Sequence, residues 1–78
     1  DAAAGPERLA QGTQEVRLLE AALARLTPEH REVLLLREIE GMSYEDIGRV
    51  LALTEGTVKS RLARARTALI EETGKDAP

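Results

Sequence analysis

Between residues 43 and 69 the apolar positions keep helical spacing on both sides of a break too short to hold anything but a turn. Ile47, Val50 and Leu51 form the inner face of one expected helix, which Ser43 opens with Asp46 in capping-box spacing. Asp is shorter than the Glu or Gln usual there, which weakens the reciprocal bond. Val58, Leu62, Ala65 and Leu69 recur at i, i+4, i+7 and i+11 and form the inner face of a second expected helix, with Thr54 as its cap. Ala52, Leu53 and Thr54 make the connection, and Leu53 is expected to plug the space between the helices. Gly48 admits close backbone approach by a neighbouring helix, at a propensity cost of about 1 kcal/mol relative to Ala. Two short helices joined this tightly constitute a helix-turn-helix pattern.

The remaining sequence must support that pair. A chain of 78 residues makes one domain and buries only roughly 60% of its unfolded surface, so its core must be well patterned. Tyr44 is the only aromatic residue, and with no Phe or Trp the core is aliphatic. Such a composition favours helices over strands. Residues 1–12, with Gly5, Pro6 and Gly12, read as a flexible linker; residues 13–73 form the domain, and residues 74–78, with Gly74 and Pro78, form a tail. From Thr13 a first amphipathic helix carries Val16, Leu19, Leu23 and Leu26, with Glu15, Arg17, Glu20 and Arg25 between them. It stops at Thr27-Pro28-Glu29, where a hydroxyl cap precedes a proline at the first helical position and an acid facing the helix dipole. The second helix therefore starts at Pro28. Its Val33, Leu34, Leu35, Leu36 and Ile39 form an apolar surface too broad for one groove, and Gly41 ends it. The expectation is an all-α, four-helix domain with a C-terminal helix-turn-helix and no wing.

Several function classes fall away on composition. The chain has no cysteine, which removes disulfides and thiolate chemistry and is compatible with the cytoplasm. The longest aliphatic run, residues 33–36, is far below the ~20 residues a membrane helix needs. The opening DAAAGPER lacks a signal layout, and the absence of an initiator Met suggests a fragment of a longer protein. His30 has no second His or Cys to complete a metal site, and a surface or capping role suits it. Glu38, Glu40, Glu45 and Asp46 crowd one corner, yet no nucleophile, phosphate cradle or HExxH spacing accompanies them. Neither an enzyme, a cofactor nor a metal is expected.

Net charge is −3, unfavourable for a polyanion partner, but the distribution is uneven. Residues 54–69 carry Lys59, Arg61, Arg64 and Arg66 against Glu55, a net +3, so the remainder carries −6. One basic helix on an acidic body orients a protein on a polyanion and discourages its other faces from adhering.

The blocks EGMSYEDIG and GTVKSRLARAR stand at a separation that resembles the C-terminal promoter-binding domain, region 4, of bacterial sigma factors of the extracytoplasmic-function (ECF) type. The resemblance covers residues 26–69. Two positions depart from it, since Ala52 stands where a turn glycine is usual and Thr54 where proline is frequent. If Ala52 takes positive φ, the penalty is roughly 1 kcal/mol. The resemblance implies that the last helix enters the major groove of the minus-35 element, with Lys59, Ser60, Ala63 and Arg64 facing base edges. Their chemistry suits base reading, since Arg64 and Lys59 can bond guanine O6 and N7, Ser60 can donate or accept, and Ala63 offers a methyl contact. Matching positions put Arg37, Tyr44, Thr57, Arg61 and Arg66 near phosphates, where contacts set register rather than read sequence. Tyr44 also has a packing reading, and exposed Arg and Lys elsewhere commonly form solvated faces.

Implied partners are promoter DNA, core RNA polymerase through its β-subunit flap, and an anti-sigma factor; the isolated domain is expected to be a monomer without membrane contact. Two alternatives remain. The LTxxxxEVL and EGTVK patterns are also similar to the output domain of a two-component or quorum-type regulator, although the arginines following GTVKSRL favour the sigma reading. A protein-interaction module docking its basic helix on an acidic partner is the other.

Overall fold

A computed structural model describes residues 6–75. Four helices follow in order: α1 (Pro6–Ala24), α2 (Pro28–Leu34, prolonged by a π-helical stretch over Leu35–Ile39), α3 (Tyr44–Leu51) and α4 (Glu55–Lys75). Every regular element among the described residues is helical. At 21 residues α4 is the longest, about 30 Å at the α-helical rise, and it packs against α1, α2 and α3 alike. The recognition candidate is therefore also the beam on which the other helices rest.

Residues 1–5 and 76–78 of the expected linker and tail lie outside the described residues. The described parts are helical, because α1 starts at Pro6 rather than near Thr13 and α4 runs through Gly74. Proline is compatible with a first helical position, and a single interior glycine costs about 1 kcal/mol, too little to break a helix.

The junction between α1 and α2 follows the expected chemistry. Thr27 is extended (φ −63°, ψ 153°), and its Oγ1 accepts the His30 backbone N–H at 3.3 Å. Arg31 adds a device that periodicity does not reveal. Its guanidinium donates to the carbonyls of Leu23 (3.1 Å) and Leu26 (3.0 Å), satisfying the open carbonyl end of α1.

After Leu34 the helix widens. The Glu40 N–H donates to the Leu35 carbonyl at 3.0 Å, and the Met42 N–H reaches back to Leu36 at 3.1 Å across Gly41, whose φ is +69°. The second bond spans one residue more than the 6→1 bond of a Schellman motif, in keeping with the π-helical turn before it, and the left-handed Gly41 ends the element as its sequence position implies. The wide turn redistributes the broad apolar surface. Val33 and Leu34 are buried and Leu36 is partly buried, whereas Leu35 is exposed and Ile39 is 71% exposed.

The core unites Leu26, Val33, Leu34, Ile47, Val58, Leu62 and Ala65. Ile47, Leu62, Val33 and Val58 are its largest fully buried side chains, each contributing about 1.5–3 kcal/mol by leaving water. Three expected inner positions are corrected. Val16 and Leu19 are exposed because this part of the chain meets the core at Leu23 and Leu26, at and just beyond the C-terminal end of α1, where Ala22 is also buried. Val50 is 60% exposed, while Ile47 and Leu51 of the same helix face inward. A buried stripe on an eight-residue helix needs only two such anchors, and Val50 falls beside it.

Candidate nucleic-acid interface

The turn between α3 and α4 is fixed at two points. Ala52, where a turn glycine is usual, is left-handed (φ 59°, ψ 47°). Its N–H and that of Leu53 both donate to the Gly48 carbonyl, the latter at 2.8 Å. A Cβ on Gly48 would lie 2.6 Å from the Leu53 carbonyl oxygen, so the close approach that requires glycine comes from the turn backbone rather than from a neighbouring helix. Leu53 packs against the core. Thr54 then opens α4: its Oγ1 accepts the Thr57 N–H at 3.2 Å, its hydroxyl donates to Thr57 Oγ1 at 2.8 Å, and its carbonyl accepts from Val58 at 3.0 Å. At the other end of the motif Ser43 Oγ accepts the Asp46 N–H at 3.1 Å. The Asp46 carboxylate takes Arg49 at 2.8 Å rather than closing the capping box.

With Val58, Leu62 and Ala65 buried, helical geometry fixes what the rest of α4 presents. Lys59, Ser60, Ala63 and Arg64 are all exposed. Ser60 Oγ donates to the Thr57 carbonyl at 3.2 Å. Thr67 shares this side, and a shallow groove lined by Ala63, Arg64, Thr67, Ala68 and Glu71 continues it toward the C-terminus. Arg61 lies half-buried on one flank; neither it nor Arg64 forms an ion pair among the described residues.

The opposite flank is a network. Lys59 Nζ is 3.6 Å from Glu55, and 5.8 Å from the centroid of the Tyr44 ring. The Arg37 guanidinium sits 4.6 Å from that same centroid and donates to the Met42 carbonyl at 2.7 Å. Arg66 Nη2 meets Glu38 Oε2 at 2.8 Å. The Glu38 carboxylate, aided by the Tyr44 hydroxyl, raises the Arg66 pKa above its ordinary value. The acidic corner is thus divided, Glu38 engaging Arg66 while Glu45 and Asp46 engage Arg49 at 3.1 and 2.8 Å. Among the described residues no three His, Cys, Asp or Glu side chains are grouped to hold a metal, and no helix is long and apolar enough to cross a membrane.

A face of solvent-exposed donors on a helix held by a locked turn is suited to reading the edges of a duplex groove, and comparison with known proteins gives the arrangement a family. Residues 17–69 match the model of sigma-70, region 4. The chain belongs to the sigma-70 region 4 family. It is 39% identical over 70 residues to the ECF RNA polymerase sigma factor SigC of Mycobacterium tuberculosis, covering 90% of this chain and 38% of that protein. It is 44% identical over 64 residues to the ECF RNA polymerase sigma factor SigE of Mycolicibacterium smegmatis, covering 82% of this chain and 25% of the relative. The RNA polymerase sigma-H factor of Pseudomonas aeruginosa is 41% identical over 64 residues, covering 82% and 33%. The ECF resemblance read from the sequence is therefore supported, and the chain spans well under half the length of these relatives.

Within this region 4 chain, sequence reasoning misses two features of the interface. Glu38 groups with other acids in the sequence, although it is the counter-ion of Arg66, a contact across 28 residues that no local pattern announces. Thr67 carries no signal of its own, although its place three residues beyond Arg64 puts it on the same side of α4.

Proposed function

We propose that this chain recognises the minus-35 element of promoter DNA in transcription initiation, as the promoter-binding part of an RNA polymerase sigma factor. The observation that carries the reading is the division of α4: Val58, Leu62 and Ala65 are buried, whereas Lys59, Ser60, Ala63 and Arg64 face solvent on a helix whose start is fixed by Ala52, Leu53 and Thr54. In this reading Lys59, Ser60, Ala63 and Arg64 meet base edges. Arg37, Tyr44, Thr57, Arg61 and Arg66 meet phosphates at the rims. Arg61 has no competing carboxylate among the described residues, while Arg66 is shared between Glu38 and a phosphate. The sigma-70 region 4 match favours this reading over a two-component output domain or an acidic-protein docking module.

The same reading gives the longer protein its surroundings. Core RNA polymerase is the partner, met here through its β-subunit flap, and an anti-sigma factor occludes the same faces when transcription is silent. The site of action is the cytoplasm, the isolated chain is monomeric, and no step is catalytic. The surface presents only about four to six phosphate contacts, so the chain alone binds weakly and depends on polymerase for residence.

The test is selection from a duplex pool carrying one randomised helical turn, about 10 base pairs, followed by titration of the enriched duplex at increasing salt. One motif is expected to emerge, with a log–log salt slope of about −3.5 to −5.5. Salt-independent affinity, or a pool that stays random, overturns the reading.

A further inference from the structure

Helical geometry places Lys59 not at the centre of the exposed side of α4 but on the flank it shares with Arg66, facing Tyr44. A flexible four-carbon side chain leaving from a flank can travel along the phosphate rim or bend inward to base edges, and in water it samples both. Here two neighbours restrict it. The Glu55 carboxylate one turn earlier lies 3.6 Å from its ammonium, and the Tyr44 ring centroid lies 5.8 Å away, within the range of a cation–π contact. The ring is itself fixed, because Tyr44 packs against the core and the Arg37 guanidinium, tied to the Met42 carbonyl at 2.7 Å, stands 4.6 Å from the same centroid. Tyr44 opens α3, directly after the Ser43 cap, so its position is set by the first helix of the motif and not by α4.

We propose that Tyr44 is a specificity-setting positioning residue, whose ring, held by Arg37, fixes the direction from which Lys59 approaches the bases. The inference rests on the DNA-reading assignment of α4 and adds to it. A tyrosine that merely donated its hydroxyl to a phosphate would contribute equally to every sequence. A tyrosine that directs Lys59 contributes to the difference between sequences, and it does so through its ring.

The prediction separates ring from hydroxyl. In the selection from the randomised duplex pool, Tyr44→Phe keeps the wild-type motif and its selectivity, while losing affinity on enriched and scrambled duplexes alike as the hydroxyl's phosphate contact goes. Tyr44→Leu, which retains apolar bulk without a π face, lowers the ratio of enriched to scrambled duplex affinity by about 2- to 5-fold, the size of one exposed cation–π contact. The loss falls at the base position that Lys59→Met also relaxes. Combining Tyr44→Leu with Lys59→Met adds no further loss there, and the salt slope of Tyr44→Leu stays at the wild-type value because no charge has been removed. Independently of DNA, proton NMR of the 78-residue chain shows the Lys59 ε-methylene protons displaced upfield by the ring current in wild type and Tyr44→Phe.

A wild-type chain that enriches no motif overturns the DNA reading, and this inference with it. A selective wild type whose selectivity survives Tyr44→Leu, or is lost in Tyr44→Phe, overturns the inference alone. Should Tyr44→Leu melt below the assay temperature, the Phe variant and the Lys59 shift decide, and an unshifted Lys59 signal overturns the proposal.

Discussion

Replacing Ala52 by glycine should stabilise the domain, against the usual effect of adding glycine. Ala52 sits at φ 59° and ψ 47°, where an L-residue is strained by roughly 1–2 kcal/mol because Cβ approaches the following carbonyl. Glycine removes that strain and restores freedom to the unfolded chain, which offsets about 0.4–1 kcal/mol. The net gain centres near about 0.8 kcal/mol, the middle of the span these two ranges leave. For a domain of this size about 1 kcal/mol moves the melting temperature by roughly 4–8 °C, so Ala52→Gly should melt about 2–8 °C higher by circular dichroism.

Gly48→Ala, four positions earlier, is the matched opposite. Alanine improves helix propensity by about 1 kcal/mol, but its Cβ would stand 2.6 Å from the Leu53 carbonyl oxygen. The obstacle is backbone, and it belongs to the residue whose N–H is already bonded to the Gly48 carbonyl at 2.8 Å, so it cannot swing aside without opening the turn. Overpacking of this kind costs about 1–3 kcal/mol, and the net effect is a lower melting temperature. The reasoning fails if Ala52→Gly melts at or below the wild-type temperature, or if Gly48→Ala melts above it.

Three further outcomes follow from the same geometry. Arg64→Ala should reduce affinity for the selected duplex by about 1–3 kcal/mol and relax selectivity at one base, whereas Arg61→Ala should weaken selected and scrambled duplexes alike and make the salt slope shallower by about one; anisotropy titrations on both duplexes distinguish the two. Lys75 and then Arg25 hold the Glu72 carboxylate below its ordinary pKa. Its stabilising contribution is therefore present above the ordinary glutamate range and lost as pH falls through the depressed value, and Glu72→Gln should flatten that part of the acid unfolding curve. Thr54→Ala removes the oxygen that accepts the Thr57 N–H and should destabilise by about 1 kcal/mol in thermal melts; an unchanged melting temperature would show that water replaces the cap.

The elements legible in the sequence are those whose causes are local. Thr27 and Ser43 cap the helices they precede, Gly41 is left-handed, and the i, i+4, i+7 spacing of Val58, Leu62 and Ala65 marks the buried stripe of α4. Val16, Leu19, Ile39 and Val50 have the right residue type and nearly the right spacing, yet they are exposed. Periodicity identifies an apolar stripe but not how far along a helix a partner reaches, and a domain this small runs out of partners. The π-helical stretch is illegible for a related reason. Leu35 and Leu36 are equally apolar, yet Leu36 is partly buried and Leu35 exposed, a difference that residue type does not announce. The interface divides in the same way. The exposure of Lys59, Ser60, Ala63 and Arg64 follows from the buried stripe, whereas the Glu38–Arg66 pair and the Arg37–Tyr44–Lys59 cluster depend on how α2 and α3 meet α4.

That division bears on how such a domain can change what it reads. Ser60, Ala63 and Arg64 face solvent and lie outside the core, so substitutions there should stay within about 0.5 kcal/mol of wild-type stability. Lys59 and Arg66 are different, since each is tied to a residue outside α4, Lys59 to Tyr44 and Arg66 to Glu38. A change at either leaves a partner behind: a tyrosine ring with one cation fewer, or a Glu38 carboxylate with no counter-ion. On the proposed reading the second is the more damaging, because an unpaired Glu38 beside the phosphate rim would repel every sequence equally. Variation in specificity should therefore be least constrained at Ser60, Ala63 and Arg64, while Lys59 and Arg66 change only together with Tyr44 and Glu38. Double-mutant cycles on DNA affinity test this directly, with coupling expected between Arg66 and Glu38 and additivity expected between Arg66 and Ser60.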